Sequence, residues 1–535
     1  MNQRIWSKLL FIVATGFAAT LASAQDFTPT YKYRISLSDK KDCGFSVKHP
    51  EAFLSPKAIE RRKRQKLKVN ETDLPVTPKY VEQIRAIGVG ICSTSKWNNT
   101  VVVVTADTTL IDQIEALPFV TATRRVAAYT KPEVRDTTDR FALIKPEPQK
   151  VVNPDAGIME KKDDDTFKVG KVLKVSSRTR YHVNESDNSV DFITEADTVE
   201  AWGKDREELE KLVAQVNEAM KAESPDADDD DTPESPYGAG FNQINMLGGI
   251  QLHERGFRGQ GMTIAIIDGG FYNADIVPGL SHVKILGTKD FVTPGGNVYE
   301  NDRHGMMVLS CIAANTPGKF IGTAPEASFY LLRSEDGGSE QLVEEDNWCA
   351  AIEYADSLGV DVVNTSLGYT KFDNRADNVR YREQDGHTHI ISNSASMAAS
   401  KGMVLCQSAG NEGDSAWKRI GVPADAENIL TVGALRPDGV NTNFSSLGHS
   451  ADGRIKPDIC AQGQQCAVYS TRGTLTTANG TSFSSPISCG MVACFWQAHP
   501  DMTAFDVMDA IRARADRYDN PDNVFGYGVP NYNAE

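Results

Sequence analysis

Hydrophobic and polar positions along the chain fall into three regimes. In the first, residues 26 to about 130, Tyr31-Lys32-Tyr33-Arg34-Ile35-Ser36-Leu37 alternates with the period of a half-buried strand. Ser55 followed by Pro56 predicts a capped helix start, and the helix runs into a basic stretch from Arg61 to Lys68. That stretch reads as a solvated helix face. Trp97 to Thr105 holds four consecutive valines, a buried strand, and Leu110 to Leu117 has helical spacing before a last strand opening at Pro118-Phe119-Val120.

The second regime runs from about 131 to 236, where Lys and Glu are frequent and Pro132, Pro146, Pro148 and Pro154 interrupt. A strand pair is expected from Phe167 to Val175 and Val190 to Thr194. A helix is expected at 205–221, with Leu209, Leu212, Val213, Val216 and Met220 on one stripe. Glu223 to Glu234 carries seven acidic residues and no basic one. Such a segment buries too little apolar area to order itself, and consecutive aspartates without a glycine turn do not make a calcium loop. It reads as a flexible, protease-accessible linker.

The third regime begins at Tyr237, where short β-branched runs alternate with helical stretches. Thr263–Ile267, Phe329–Leu332, Val360–Asn364, Met403–Cys406 and Ile429–Val432 read as strands, and Leu342–Leu358 and Phe483–Ala498 as helices. This alternation predicts an α/β domain with a mainly parallel sheet and helices on both faces. Functional groups then belong at the carboxyl ends of the strands.

Composition narrows the function classes. The 535 residues leave room for more than one core, and a formal net charge of -16 argues against a general nucleic-acid binder. Arg4 and Lys8, the apolar run Leu9 to Ala19 and the small residues Ala22-Ser23-Ala24 predict a signal peptide over 1–24. The run is too short to span a bilayer, no later run has spanning length, and no Cys follows the small residues. The mature chain is thus expected to be soluble and exported, periplasmic or extracellular, without a lipid anchor. Nine cysteines leave at least one unpaired in a monomer. Cys460 and Cys466, or Cys43 and Cys92, lie near enough in sequence to consider, but no pairing is assigned, and no Cys spacing suits zinc.

Three residues stand in short glycine-containing segments: Asp268 in Ile267-Asp268-Gly269-Gly270, His304 in His304-Gly305-Met306-Met307, and Ser482 in Asn479-Gly480-Thr481-Ser482-Phe483-Ser484-Ser485-Pro486. Singly, each has an ordinary reading as a cap, turn or surface pair. Together they supply an acid, a base and a hydroxyl in the order Asp, His, Ser, which separates hydrolase families. An α/β-hydrolase needs a Gly-x-Ser-x-Gly elbow with a later His; position 484 is Ser and only His499 follows. No phosphate-cradling glycine loop follows a strand, which removes a Rossmann-like nucleotide binder.

On these segments the chain closely resembles the subtilisin-like serine peptidases. Further matching segments are Asn364-Thr365-Ser366-Leu367-Gly368, Ser408-Ala409-Gly410-Asn411-Glu412-Gly413, Gly421-Val422-Pro423, Asn443-Phe444-Ser445-Ser446 and Lys456-Pro457-Asp458, so the likeness covers about 237–535. It implies a serine endopeptidase acting on polypeptides through an acyl-enzyme. Ser482 would be the nucleophile, His304 the base and Asp268 its orienting acid, with Asn411 as oxyanion donor. Ser366, Leu367, Gly368, Ala409 and Gly410 would line the specificity cleft, where small residues leave space for a medium or large uncharged side chain. No cofactor is expected; calcium is common in such enzymes, but no ligand cluster is evident. Residues 31–126 resemble the family's inhibitory propeptide, which would make the enzyme a zymogen blocked by its own N-terminal domain.

The expected organisation is therefore signal peptide 1–24, propeptide-like domain 25–130, insert and acidic linker 131–236, and catalytic domain 237–535. Gly269, Met306 and Phe483-Ser484-Ser485 depart from the family's usual residues without removing a reacting group. The alternative, a non-catalytic peptide-binding protein that keeps the fold, predicts loss of a reacting residue, and all four are present.

Overall fold

In a computed structural model of the chain, the described residues are 27–130 and 235–533, with five strands between 158 and 203. The expected signal peptide, the 205–221 helix and the acidic linker lie outside the described residues. Contacts divide the chain into two units, 1–144 with 234–535, and 145–233.

The N-terminal domain is an antiparallel sheet of β1 (Thr30–Leu37), β2 (Gly90–Ser95), β3 (Thr100–Thr105) and β4 (Val120–Tyr129), in the order β2-β3-β1-β4. The strand period of two divides the valine run between two cores. Val101 and Val103 join Ile35, Leu37, Ile84, Ile111, Ile114 and Phe119 in the domain's own core, which the helices Pro78–Ala86 and Leu110–Glu115 close. Val102 instead joins Trp97, Val126 and Ala127 in a core shared with the C-terminal part. The short polar strand β2 carried no pattern that announced it.

Between β1 and the helix at Pro78 the chain makes a long excursion containing the helix Pro56–Arg64, capped by Ser55 Oγ, which accepts from Ala58 N at 3.1 Å. Here the structure corrects the sequence reading. Of the basic stretch, Lys63, Arg64, Lys66 and Lys68 are exposed as expected, but Arg61 and Arg62 are each only 2% exposed. Arg61 pairs with Asp356 Oδ1 at 2.6 Å, and Arg62 with Asp356 at 3.0 Å and Asp73 at 2.8 Å. Long-range carboxylates, invisible to local pattern, take these guanidiniums out of water. Removing one side of such a pair costs about 3–5 kcal/mol.

In the second unit, β5 (Ile158–Lys162), β6 (Thr166–Lys171) and β9 (Val199–Gly203) form one antiparallel sheet, and β7 (Arg178–Val183) pairs with β8 (Val190–Glu195). Both expected strand segments exist, but they do not pair with each other. A three-residue connection lets β5 close on β6 at little loop-entropy cost, and β8 likewise takes its sequence neighbour.

The C-terminal part is built on β10 (Thr263–Asp268), β11 (Lys284–Asp290), β14 (Ser328–Arg333), β15 (Val362–Thr365), β16 (Val404–Ser408), β17 (Leu430–Leu435) and β18 (Ile459–Gln462). Two small hairpins, β12 (Asn315–Thr316) with β13 (Phe320–Ile321) and β19 (Cys466–Tyr469) with β20 (Leu475–Ala478), flank it. The seven strands are all parallel, in the order β11-β14-β10-β15-β16-β17-β18. Alternate residues of β10 serve opposite layers. Ile264 and Ile266 pack with the helices His304–Ala313 and Thr481–Ala498, while Ala265 and Ile267 pack with Val343–Leu358 and Ile390–Met397. From β10 the chain winds one way to β11 and β14, then crosses to β15 and winds the other way. The crevice beyond the carboxyl ends of β10 and β15 is therefore the switch point where such sheets hold their sites.

All nine cysteines are free thiols, Cys460 and Cys466 included. Among the described residues, no helix is long and apolar enough to cross a membrane.

Candidate active site

Asp268 is the last residue of β10 and is 1% exposed. Its Oδ1 accepts from Gly269 N at 2.8 Å. The turn that follows is fixed from the next strand. Arg333 Nε, at the end of β14, donates to Gly269 O at 2.9 Å, and its Nη1 pairs with Asp290 Oδ2 at 3.0 Å.

His304 opens its helix, its backbone N–H donating to Asp302 Oδ1 at 2.9 Å. The helix start reaches β10 only because residue 305 is glycine. A Cβ there would lie 2.4 Å from Gly270 O and 2.9 Å from Asp268 Cβ. This approach puts His304 Nδ1 at 2.9 and 3.1 Å from the two Asp268 oxygens. Nδ1 donates, so Nε2 is left as the acceptor. Burial pulls the imidazole pKa down, but the Asp268 charge and hydrogen bond, with Asp302 and Glu335, outweigh it and lift it to about 9. Burial also pushes the Asp268 carboxyl upward, opposed by His304.

Ser482 is the second residue of the helix Thr481–Ala498, entered through Gly480 at φ +144°. Its Oγ donates to Ser366 O at 3.3 Å, and no bond from Oγ to His304 is formed among the described residues. The His304 ring packs against that of the adjacent Phe483, centroids 5.9 Å apart. Pro486 has no N–H to give the Ser482 carbonyl, four residues before it. Ser366 Oγ donates there instead, at 2.9 Å, and Asn364 Nδ2 donates to that hydroxyl at 3.0 Å. Asn364 Oδ1 in turn accepts from Ser485 Oγ at 2.9 Å.

Asn411, three residues beyond the end of β16 at Ser408, is tied through its carbonyl oxygen. Oδ1 accepts from Thr481 N and Thr481 Oγ1, both at 2.9 Å. The amide nitrogen is thereby turned the other way, on an exposed side chain, and lies beside Gly480. Gly410 N donates to Thr481 Oγ1 at 3.1 Å, so both expected cleft segments abut the 480–482 turn. Of their members, Ser366, Leu367 and Ala409 are buried, whereas Gly368 is exposed and Gly410 half-buried.

Direct contacts thus link Asp268 with His304 and Ser482 with Ser366, while Asn411 and Gly410 bond to Thr481 beside Ser482 and the His304 ring packs on Phe483 on its other side. The residues that sequence reasoning missed are those holding the site: Arg333, Asp302 and Thr481. Arg333 is known only from its tertiary contact with Gly269, whereas Asp302 and Thr481 adjoin the His304 and Ser482 segments, where their hydrogen bonds carry no distinct sequence signal. Among the described residues, no cluster of three or more His, Cys, Asp or Glu side chains is arranged to hold a metal ion. A cavity of about 750 Å³ lies elsewhere, lined by Cys92, Lys96, Lys289 and Tyr354 among others and by none of the three candidate catalytic residues.

Comparison with known proteins bears on this arrangement. A family profile described as the subtilase family matches residues 259–528, and one described as a peptidase S8 propeptide domain of Bacteroidota matches 32–140. Subtilisin NAT of Bacillus subtilis subsp. natto is 30% identical, over 56% of this chain and 70% of its own. The serine protease AprX of Bacillus subtilis (strain 168) is 28% identical, the match covering 51% of this chain and 65% of AprX. Among solved structures, MycP1 from Mycobacterium smegmatis aligns over 57% of this chain and 85% of its own, at 23% identity and a TM-score of 0.44. With half of its length inside the family profile, the chain belongs to the subtilase family of serine endopeptidases and carries a propeptide domain of that family at its N-terminal side.

Proposed function

We propose that the protein is an exported endopeptidase in which Ser482, His304 and Asp268 form the catalytic triad and Asn411 the side-chain half of the oxyanion hole. The observation that carries this is the bond from His304 Nδ1 to Asp268, which leaves Nε2 to take a proton. In the free site Ser482 Oγ rests on the Ser366 carbonyl. A bound peptide draws it toward Nε2; such bonds are often long before substrate arrives. Oγ then attacks the scissile carbonyl as Nε2 accepts its proton, and Asp268 stabilises the imidazolium. The carbonyl oxygen gains negative charge beside Asn411 Nδ2 and the Ser482 N–H, at the positive end of the Thr481–Ala498 helix. His304 returns the proton to the leaving amine, and water, deprotonated by the same ring, releases the acyl group.

The N-terminal domain acts as inhibitor. Glu353, buried on the Val343–Leu358 helix, accepts from Lys96 N at 2.6 Å and Trp97 N at 3.0 Å, which seats the sheet. Strand β4 then runs toward the cleft, Ala128 N donating to Gln341 Oε1 at 2.7 Å. Residues 1–24 direct export and the cleft takes a medium or large uncharged side chain. A fluorophosphonate probe tests the triad: the matured wild type is labelled and Ser482→Ala is not. Absence of labelling in both, with the propeptide removed, would favour a peptide-binding protein. Cleavage of a peptide library mainly after Lys, Arg or Asp would overturn the cleft reading.

A further inference from the structure

The excursion 38–77 has contacts that inhibition does not explain. Among residues of the N-terminal domain's own core, only Val76 comes from it. Its first residues are tied to that domain, Asp39 accepting from Tyr80 Oη at 3.0 Å and Asn99 Nδ2 at 3.1 Å, but the helix Pro56–Arg64 and the residues flanking it are anchored on the C-terminal part. Ser55 N donates to Ser357 O at 2.9 Å. Arg61 Nη2 reaches Asp356 Oδ1 at 2.6 Å, and Nη1 donates to Val360 O. Arg62 Nη1 donates to Lys401 O at 3.2 Å, while Lys57 Nζ lies 2.8 Å from Asp361 Oδ2 and also donates to Thr263 Oγ1. Gln65 donates to Gly402 O and accepts from Ala504 N, both at 2.9 Å. The fit is backbone-close: a Cβ on Gly359 would stand 2.5 Å from Ala58 N.

These contacts gather at the amino ends of the central strands. Thr263 begins β10, and Asp361 precedes β15. Asp268 lies at the other end of β10, about 17 Å away at the rise of an extended strand. A segment seated there cannot block the cleft. Four of its cations, Lys57, Arg61, Arg62 and Arg64, instead meet Asp356 and Asp361, and Asp356 is wholly buried. The enclosed charges among them, Arg61 and Arg62 with Asp356, are little screened by salt.

We propose that this arm remains on the enzyme after maturation, as a brace for the strands that carry Asp268 and Ser366, while the cleft-facing strand β4 lets go. The propeptide region then has two fates: its sheet inhibits and leaves, and its arm stays. This rests on the reading of the N-terminal domain as a removable inhibitor.

Mass spectrometry of the active enzyme, purified under native conditions and then denatured, tests it. A peptide containing Pro56 to Gln65 is expected in one-to-one ratio with the 237–535 portion; fully active enzyme lacking it would overturn the proposal. A thermal melt of the active enzyme, blocked by a sulfonyl fluoride, gives a second arm. The double variant Arg61→Met, Arg62→Met is expected to lower Tm by about 5 °C or more. An unchanged Tm means that these residues have already gone. Should that variant not mature, the wild-type mass measurement decides. Independently of the triad reading, the Ser482→Ala chain, cut within 205–234 by an added protease, reports whether the whole N-terminal fragment, arm included, stays bound. Loss of the arm there in buffer of ordinary ionic strength counts against the brace alone.

Discussion

At the scale of the residue, the site is a base held by more negative charge than it needs. Against burial, Asp268 above all, then Asp302 and Glu335, raise His304 to about 9, so the neutral ring that can take a proton from Ser482 becomes more populated as pH rises through that value. The group must lose a proton to work, so kcat/KM is expected to rise with pH toward about 9 and to fall about tenfold per unit below it. Asp302→Asn keeps an oxygen for the His304 N–H but removes a charge, and should move that rise to lower pH; a pH–rate profile checks both. Asn411→Ala should lower kcat about 10²–10³-fold with KM little changed, the scale seen in subtilisin when its oxyanion asparagine is lost. All four side chains proposed to react were picked out in the sequence because each sits in a short segment of unusual composition. Arg333, whose guanidinium holds the Asp268 turn, was not legible, because an arginine ending a strand looks like any other until Gly269 O arrives beside it.

At the scale of the element, what positions the proposed triad is close approach. Gly305 lets the His304 helix touch the end of β10, and Gly305→Ala should cost about 1–3 kcal/mol by overpacking. Thermal melts of the Ser482→Ala background would show the loss, and kcat in the active background should fall with it. Pro486 has a comparable role in the long helix: it frees the Ser482 carbonyl, which the segment after β15 then holds through Ser366. The strands β10, β14, β15, β16 and β17 were legible from short apolar runs, since most of their side chains are buried. β11 was not, since Lys284, Gly287 and Lys289 give it the mixed pattern of a sheet edge. β18, at four residues with Cys460 and Gln462 among them, is too short to show a period. The basic helix at Pro56 was recognised as a helix but misread in its surroundings, since its partners lie about three hundred positions on.

At the scale of the whole molecule, the N-terminal domain and the C-terminal part are joined through charges buried on both sides, Arg34 with Asp346 at 2.6 Å and the Glu353 carboxylate with the 95–97 turn. Glu353→Ala leaves buried donors at Lys96 and Trp97 unmet, and should weaken the hold on the sheet by about 1–3 kcal/mol. A rise in residual activity of freshly made zymogen, read with a chromogenic peptide, checks it. The shared core has a consequence for the protein's life after activation. Trp97, Val102, Val126 and Ala127 cover apolar side chains of the Val343–Leu358 and Ile390–Met397 layer. Once the sheet departs, that greasy patch meets water. The working enzyme is then the stickier form, and it should bind an apolar dye or a phenyl resin more strongly than its precursor.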